Sequence, residues 1–225
     1  MTIDDRLRAR VSSVKAIFFD YDGVLTRDRT GSLTMNRFVS AQTGIPCERV
    51  CRALRRHNRR LNEGKASYAE VWPIVCAELE RELPFDLVTR AFESTPLNEE
   101  MLQLARDLKR HCAVGIITDN KKERIDYLKQ YQRLPELFAP IVVSAEVGCT
   151  KADSPIFEVA LACAGVDPDE SVFIDNTPSN LVAAAALGMK TVYFDDEKND
   201  VAGLARLLAA QFGVNGGGKM FHSPS

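Results

Sequence analysis

The apolar run Ala16-Ile-Phe-Phe19 stops abruptly at Asp20-Tyr-Asp-Gly-Val-Leu-Thr26, and that junction constrains the chain more than any other stretch of it. Four apolar residues, two of them aromatic, suit a buried strand, and a strand alternates its side chains. Asp20 and Asp22 therefore share a side if strand geometry persists, and Gly23 lets the backbone turn immediately afterwards. Two carboxylates on one small site repel each other unless a cation or a shared proton intervenes. The pair suggests a divalent metal and a division of labour between a nucleophile and an acid/base. An isolated Asp-x-Asp is a weak signal, because a strand that simply ends in a polar loop reads the same way.

Downstream, short apolar runs alternate with longer helical patterns. Strands are predicted over Lys15 to Asp20, Cys112 to Thr118, Ile141 to Ser144, Ser171 to Asp175 and Lys190 to Phe194. Helices are predicted over Asn98 to Arg110, Lys121 to Tyr131, Pro155 to Ala164, Pro178 to Leu187 and Val201 to Phe212. Ser154 and Thr177, each before a proline, read as helix caps. This alternation predicts the α/β class, with a doubly wound parallel sheet covered on both faces. An excursion too long for a simple crossover separates the first two strands. Within it Val50, Leu54, His57 and Leu61 fall on one helical face, and Ser67 with Glu70 opens another helix that Pro73 is expected to kink or shorten. The division follows: residues 1–26 and 97–213 form the core, 27–96 a helical insertion and 214–225 a flexible tail of linker-like composition.

Three further segments lift the first motif out of ambiguity. Val114-Gly-Ile-Ile-Thr-Asp-Asn120 is an apolar strand ending in Thr118; Lys151-Ala-Asp-Ser-Pro-Ile-Phe157 places a lysine before a helix; Val172-Phe-Ile-Asp-Asn-Thr-Pro-Ser-Asn180 ends a strand in Asp175, with Leu187-Gly-Met189 behind it. In this order they resemble the haloacid dehalogenase-like hydrolase superfamily, which includes many Mg2+-dependent phosphatases. The resemblance spans residues 15 to about 195. It implies a Rossmann-like core with the helical insertion as a cap that closes over the site and selects substrate.

The resemblance also implies roles. Asp20 would attack phosphorus and form an aspartyl-phosphate, and Asp22 would serve as acid and then base. Mg2+ would sit between Asp20, the main-chain carbonyl of Asp22 and Asp175. Thr118 and Asp119, with nearby main-chain N–H groups, and Lys151 would hold the phosphoryl group, Lys151 also offsetting charge on the nucleophile. Asn176 departs from the family, which commonly carries a second acid there. A neutral amide orients a metal-bound water without supplying charge. Asn180 is expected to steady Asp175 or Lys151, or else to cap its helix start.

The leading expectation is thus a Mg2+-dependent phosphatase of a small phosphorylated substrate. A phosphomutase, and a catalytically weak binding or regulatory protein on the same fold, are the alternatives. Asp22 argues against a dehalogenase, whose chemistry needs no protonation of an alkoxide. Net charge is −2 over 225 residues, which gives no field suited to nucleic acid or an anionic membrane, and no apolar segment reaches spanning length. The N-terminus lacks a secretory pattern and the six cysteines form no C-x-x-C pair, so a cytoplasmic protein with reduced thiols is expected. For substrate contact the candidates are Arg29 and Asn36. The basic stripe Arg52, Arg55, Arg56 and Arg59 reads as a solvated face, with a second anion-binding point for a phosphorylated metabolite as the alternative, and His57 reads as a core residue.

Overall fold

A computed structural model describes residues 13–214; residues 1–12 of the expected core and 215–225 of the expected tail lie outside the described residues. Five strands, β1 (Ala16–Phe19), β2 (Ala113–Thr118), β3 (Ile141–Val143), β4 (Ser171–Asp175) and β5 (Lys190–Tyr193), form one sheet in the order β3-β2-β1-β4-β5. All pairings are parallel. β1 lies at the centre, with Phe19 opposite Ile116 on one side and Ile174 on the other. Its side chains alternate as the sequence demands. Ile17 and Phe19 enter one apolar cluster and Ala16 and Phe18 another, so both faces of the sheet are covered.

Five helices lie between Thr26 and Leu97: α1 (Gly31–Thr43), α2 (Cys47–Arg55), α3 (Asn58–Asn62), α4 (Tyr68–Leu79) and α5 (Asp86–Glu93). The remainder are α6 (Glu99–Leu108), α7 (Lys122–Tyr131), α8 (Leu134–Leu137), α9 (Ser144–Val147), α10 (Pro155–Ala164), α11 (Leu181–Ala186) and α12 (Val201–Phe212). Residues of α6, α7 and α12 pack on the Ile17 face, and residues of α10 and α11 on the Phe18 face.

The chain leaves and re-enters this layer at one place. Thr26 and Leu97 pair as an antiparallel bridge, the Arg27 N–H donates to the Pro96 carbonyl at 2.8 Å, and the Asn98 N–H donates to the Leu25 carbonyl at 2.9 Å. The segment between them meets the core through both apolar and polar contacts, the rings of Phe92 and Tyr127 lying 6.2 Å apart. Ser144 Oγ donates to the Asn62 carbonyl at 2.8 Å, and the Tyr68 N–H donates to Glu123 Oε1 at 2.8 Å.

Several local expectations are corrected. The pattern through Val50, Leu54, His57 and Leu61 is two helices rather than one, because His57 N–H bonds to the Leu54 carbonyl and tightens the chain there. His57 is half-buried and its Nε2 has no partner. Pro73 does not shorten α4, which runs on through it to Leu79. The proline lies on the exposed side, where a carbonyl without its helical partner faces solvent. Ser67 and Glu70 do form the reciprocal cap. Ser154 does not cap α10: its backbone is already helical, and its hydroxyl bonds to Glu158 instead. Thr177 does not cap either, since Pro178–Asn180 forms a separate tight turn before α11.

Candidate active site

Parallel strands bring their carboxyl ends to one edge, and there the sheet gathers the motif residues. The Asp20 N–H still bonds to the Ile174 carbonyl at 2.8 Å, so Asp20 is held at the tip of β1 beside β4. Beyond it the chain makes one wide turn, closed by the Thr26 N–H on the Tyr21 carbonyl at 3.1 Å. Gly23 permits that turn twice over. Its φ is +79°, and a Cβ there would stand 2.1 Å from Asn176 Nδ2.

Lys151 ties the two strand-end acids together. Its Nζ lies 2.8 Å from Asp20 Oδ2 and 2.6 Å from Asp175 Oδ2, and all three side chains are buried. Asp175 also accepts from the Thr177 N–H at 2.7 Å and from Asn180 Nδ2 at 3.3 and 3.1 Å. Asn180 thus steadies Asp175. Asp119 accepts from the main-chain N–H of Lys151 at 2.9 Å, so its carboxylate positions the lysine. What Asp119 can offer an anion is its main chain. Thr118 accepts from Asn120 Nδ2 at 3.2 Å, which leaves its own hydroxyl proton to donate.

Two buried carboxylates share one ammonium, and the surplus negative charge shows at Asp20. Burial drives its carboxyl well above the ordinary range, Lys151 pulls against that, and Asp175 and Asp22 add to it. Burial disfavours the Lys151 ammonium too, but Asp20, Asp175 and Asp119 override it and hold the charge. Such a surplus fits Mg2+, a hard cation that takes oxygen ligands, with Asp20, Asp175 and the Asp22 main chain as the groups to hold it. The set is lean. Among the described residues no three His, Cys, Asp or Glu side chains stand together as a ready metal cage. Asn176 brings an amide instead of a third acid, and its buried Nδ2 has no hydrogen-bond partner.

The Asp22 carboxylate is turned elsewhere, to a residue that sequence reasoning missed. Arg124 grips it with two bonds, to Oδ2 at 2.8 Å and Oδ1 at 2.9 Å, and Asn120 Nδ2 adds a third at 2.8 Å. Arg124 is only 2% exposed and also bonds Thr95 at 3.2 Å. Burial pushes Asp22 upward, but Arg124, the nearby Lys121 charge and the Asn120 bond overcome it and leave the carboxyl below its ordinary range. One signal in the sequence marks Arg124: it stands four residues before Leu128, on the apolar stripe of α7. Lys121 and Ser32 were missed as well. Of the proposed substrate contacts, Arg29 is exposed, whereas Asn36 is buried with its Oδ1 unpartnered. Arg52, Arg55, Arg56 and Arg59 are exposed, and Glu78 and Glu63 take Arg56 and Arg59.

A model of the haloacid dehalogenase-like hydrolase family matches residues 14–188. Bifunctional epoxide hydrolase 2 of Rattus norvegicus is 24% identical over 222 residues, covering 89% of this chain and 40% of that protein. The chain spans less than half the length of the curated relatives it matches. A haloacid dehalogenase (HAD) family enzyme of Bacteroides thetaiotaomicron, solved with magnesium and inorganic phosphate, matches with a TM-score of 0.62 at 19% identity over 80% of this chain and 93% of that one. A HAD phosphatase from Thermococcus onnurineus gives 0.60 at 20% identity over 87% and 98%. At these identities the structural likeness speaks for the fold. No helix among the described residues is long and apolar enough to cross a membrane.

Proposed function

The chain belongs to the haloacid dehalogenase-like hydrolases, and on that premise we propose that it is a Mg2+-dependent phosphatase of small phosphorylated metabolites, working through an aspartyl-phosphate on Asp20. One observation carries the reading: a carboxylate held by a lysine, Asp20 on Lys151 at 2.8 Å, stands two residues from a second acid, Asp22. A nucleophile alone suffices to displace halide. An acid beside it serves a substrate whose leaving group is an alkoxide.

Asp20 Oδ1 is fixed by the Tyr21 N–H at 2.7 Å, and Lys151 bonds Oδ2. These contacts orient the carboxylate and restrain its charge, so that attack on phosphorus splits one hard displacement into two easier ones. Lys151 and the Thr118 hydroxyl would neutralise and hold the equatorial oxygens as phosphoryl transfers. Mg2+, held by Asp20, Asp175 and the Asp22 main chain, would supply positive charge against the phosphate; the Mg2+ and phosphate bound to the Bacteroides enzyme support that choice of ion and substrate group. Asp22, kept ionised by Arg124, suits the base of the second half-reaction. To act as acid in the first it must loosen from Arg124 and take a proton. The helical segment between Thr26 and Leu97 would be the cap, admitting substrate and keeping water from Asp20, which is only 6% exposed.

Turnover of p-nitrophenyl phosphate, with and without Mg2+, tests this in wild type and Asp20→Asn. We expect Mg2+-dependent activity that falls by about 10³-fold or more in the variant, with 32P or mass labelling of Asp20 in quenched wild type. Wild-type rates in Asp20→Asn would overturn the covalent mechanism. Absence of turnover across a phosphometabolite panel would leave a binding or regulatory role.

A further inference from the structure

Lys121 follows the strand-end loop of β2 and is 5% exposed, yet no carboxylate among the described residues lies within ion-pair distance of its ammonium. Its one bond is to a neutral hydroxyl, Ser32 Oγ at 3.3 Å. A cation taken out of water without an anion is costly, and natural sequences rarely keep one without use. Burial, seconded by Arg124, pulls its pKa down to about 8, against Asp22 and Asp119.

What faces Lys121 is equally unfinished. Ser32 Oγ also accepts from Asn58 Nδ2 at 3.2 Å, so its two bonds use lone pairs and its own proton remains to donate. Ser32 lies in the first turn of α1, where the free main-chain N–H groups of a helix favour negative charge. One helical turn on, Asn36 occupies the same face, buried, with Oδ1 unpartnered. An ammonium, a free hydroxyl proton and the positive end of a helix therefore meet here, with an acceptor that lacks a donor one helical turn along α1. This place lies at the seam between the excursion and the core, next to Asp22.

We propose that Lys121, Ser32 and Asn36 form a subsite for a second anionic group on the substrate, a carboxylate or a second phosphate, with Asn36 Oδ1 accepting from a neighbouring hydroxyl. The substrate is then a phosphomonoester that is also an acid or a bisphosphate. This rests on the phosphatase reading for the scissile group, while the subsite itself rests on the seam geometry.

The test uses matched pairs: glycerate 3-phosphate against glycerol 3-phosphate, and fructose 1,6-bisphosphate against fructose 6-phosphate. The quantity read is the ratio of kcat/KM within each pair, with Mg2+, in wild type, Lys121→Met, Lys121→Arg and Ser32→Ala. We expect wild type to prefer the doubly anionic member of one pair by about tenfold or more, Lys121→Met to bring the ratio near unity, and Lys121→Arg to restore part of it. Which pair shows the preference separates carboxylate from phosphate. A smaller loss in Ser32→Ala supports the same subsite with the lysine intact. A wild-type ratio near unity in both pairs, or one that survives Lys121→Met, overturns the inference and leaves the phosphatase reading standing. If wild type hydrolyses no phosphomonoester, p-nitrophenyl phosphate included, the phosphatase reading fails by itself, and thermal shifts with the same four compounds decide the subsite. A larger rise in Tm with the doubly anionic member, lost in Lys121→Met, supports it; equal rises overturn it.

Discussion

Arg124 holds Asp22 in a fork of two near-parallel hydrogen bonds, 2.8 and 2.9 Å, at a distance of 102 residues in the chain. Paired carboxylate–guanidinium geometry of this kind is directional as well as strong, so the acid's protonation and its aim depend on one side chain of α7.

Removing that side chain should make stability pH-dependent in a new sense. In wild type the folded pKa of Asp22 lies below its ordinary value near 3.8, so the pair's contribution is present above that value and is lost as pH falls through the folded one. In Arg124→Met the cation is gone and burial alone acts, raising the pKa. The variant should then be less stable than wild type by about 3–5 kcal/mol at neutral pH, with the gap narrowing as acid protonates Asp22. Urea denaturation at pH 7 and pH 4.5 reads both. A gap that does not change with pH would mean that Asp22 is not buried as a charge.

Gly31 controls the same contact from the other side of the seam. A Cβ at Gly31 would stand 2.3 Å from Arg124 Nη1, and that guanidinium is pinned by Asp22, Asn120 and Thr95. Gly31→Ala should therefore displace Arg124 and lower both Tm and turnover. In the Arg124→Met background the same substitution should cost little, giving a coupling energy of about 1–3 kcal/mol in a double-mutant cycle. Simple additivity would place the damage elsewhere.

The ordered motifs made the sheet and its strand-end acids readable, because each apolar run ends in the residue that the site uses. Pro155 and Val201 open helices where expected. Arg124 and Lys121 were hidden for a physical reason: they sit in Lys121-Lys-Glu-Arg124, which has the composition of a solvated helix start, and only Lys122 of its two lysines is exposed. Burial of a charge is decided by what packs across from it, here Asp22 and Ser32, and local spacing carries no record of that. The missing caps at Ser154 and Thr177 are local in origin, Ser154 turning its hydroxyl to Glu158 and Thr177 preceding a separate tight turn. Thr177 serves the site through its main chain instead, its N–H donating to Asp175.

Asn176→Asp would place a third carboxylate beside Asp20 and Asp175. Without metal, like charges crowd and Tm should fall below that of wild type. With Mg2+ it should recover by more than wild type gains, and calorimetric affinity for Mg2+ should tighten about tenfold. An unchanged titration would place the ion away from this corner.

Lys151→Met should leave Asp20 and Asp175 facing each other without their shared ammonium, at a cost of about 3–5 kcal/mol in urea. Adding Asp175→Asn should recover part of that loss, because the surviving Asp20 then carries the only charge of the trio. Equal stability of the single and double variants would deny the electrostatic link.

The bridge between Thr26 and Leu97 has a consequence for how such a protein changes over time. An insertion whose two ends are hydrogen-bonded to each other has the footprint of a single hairpin on its host. It can be lengthened, trimmed or exchanged without drawing any strand of the sheet along with it, because both attachment points are already side by side. The attachment itself therefore asks nothing of the strand-end acids, while residues that meet across the seam, such as Gly31 with Arg124 and Phe92 with Tyr127, must change together.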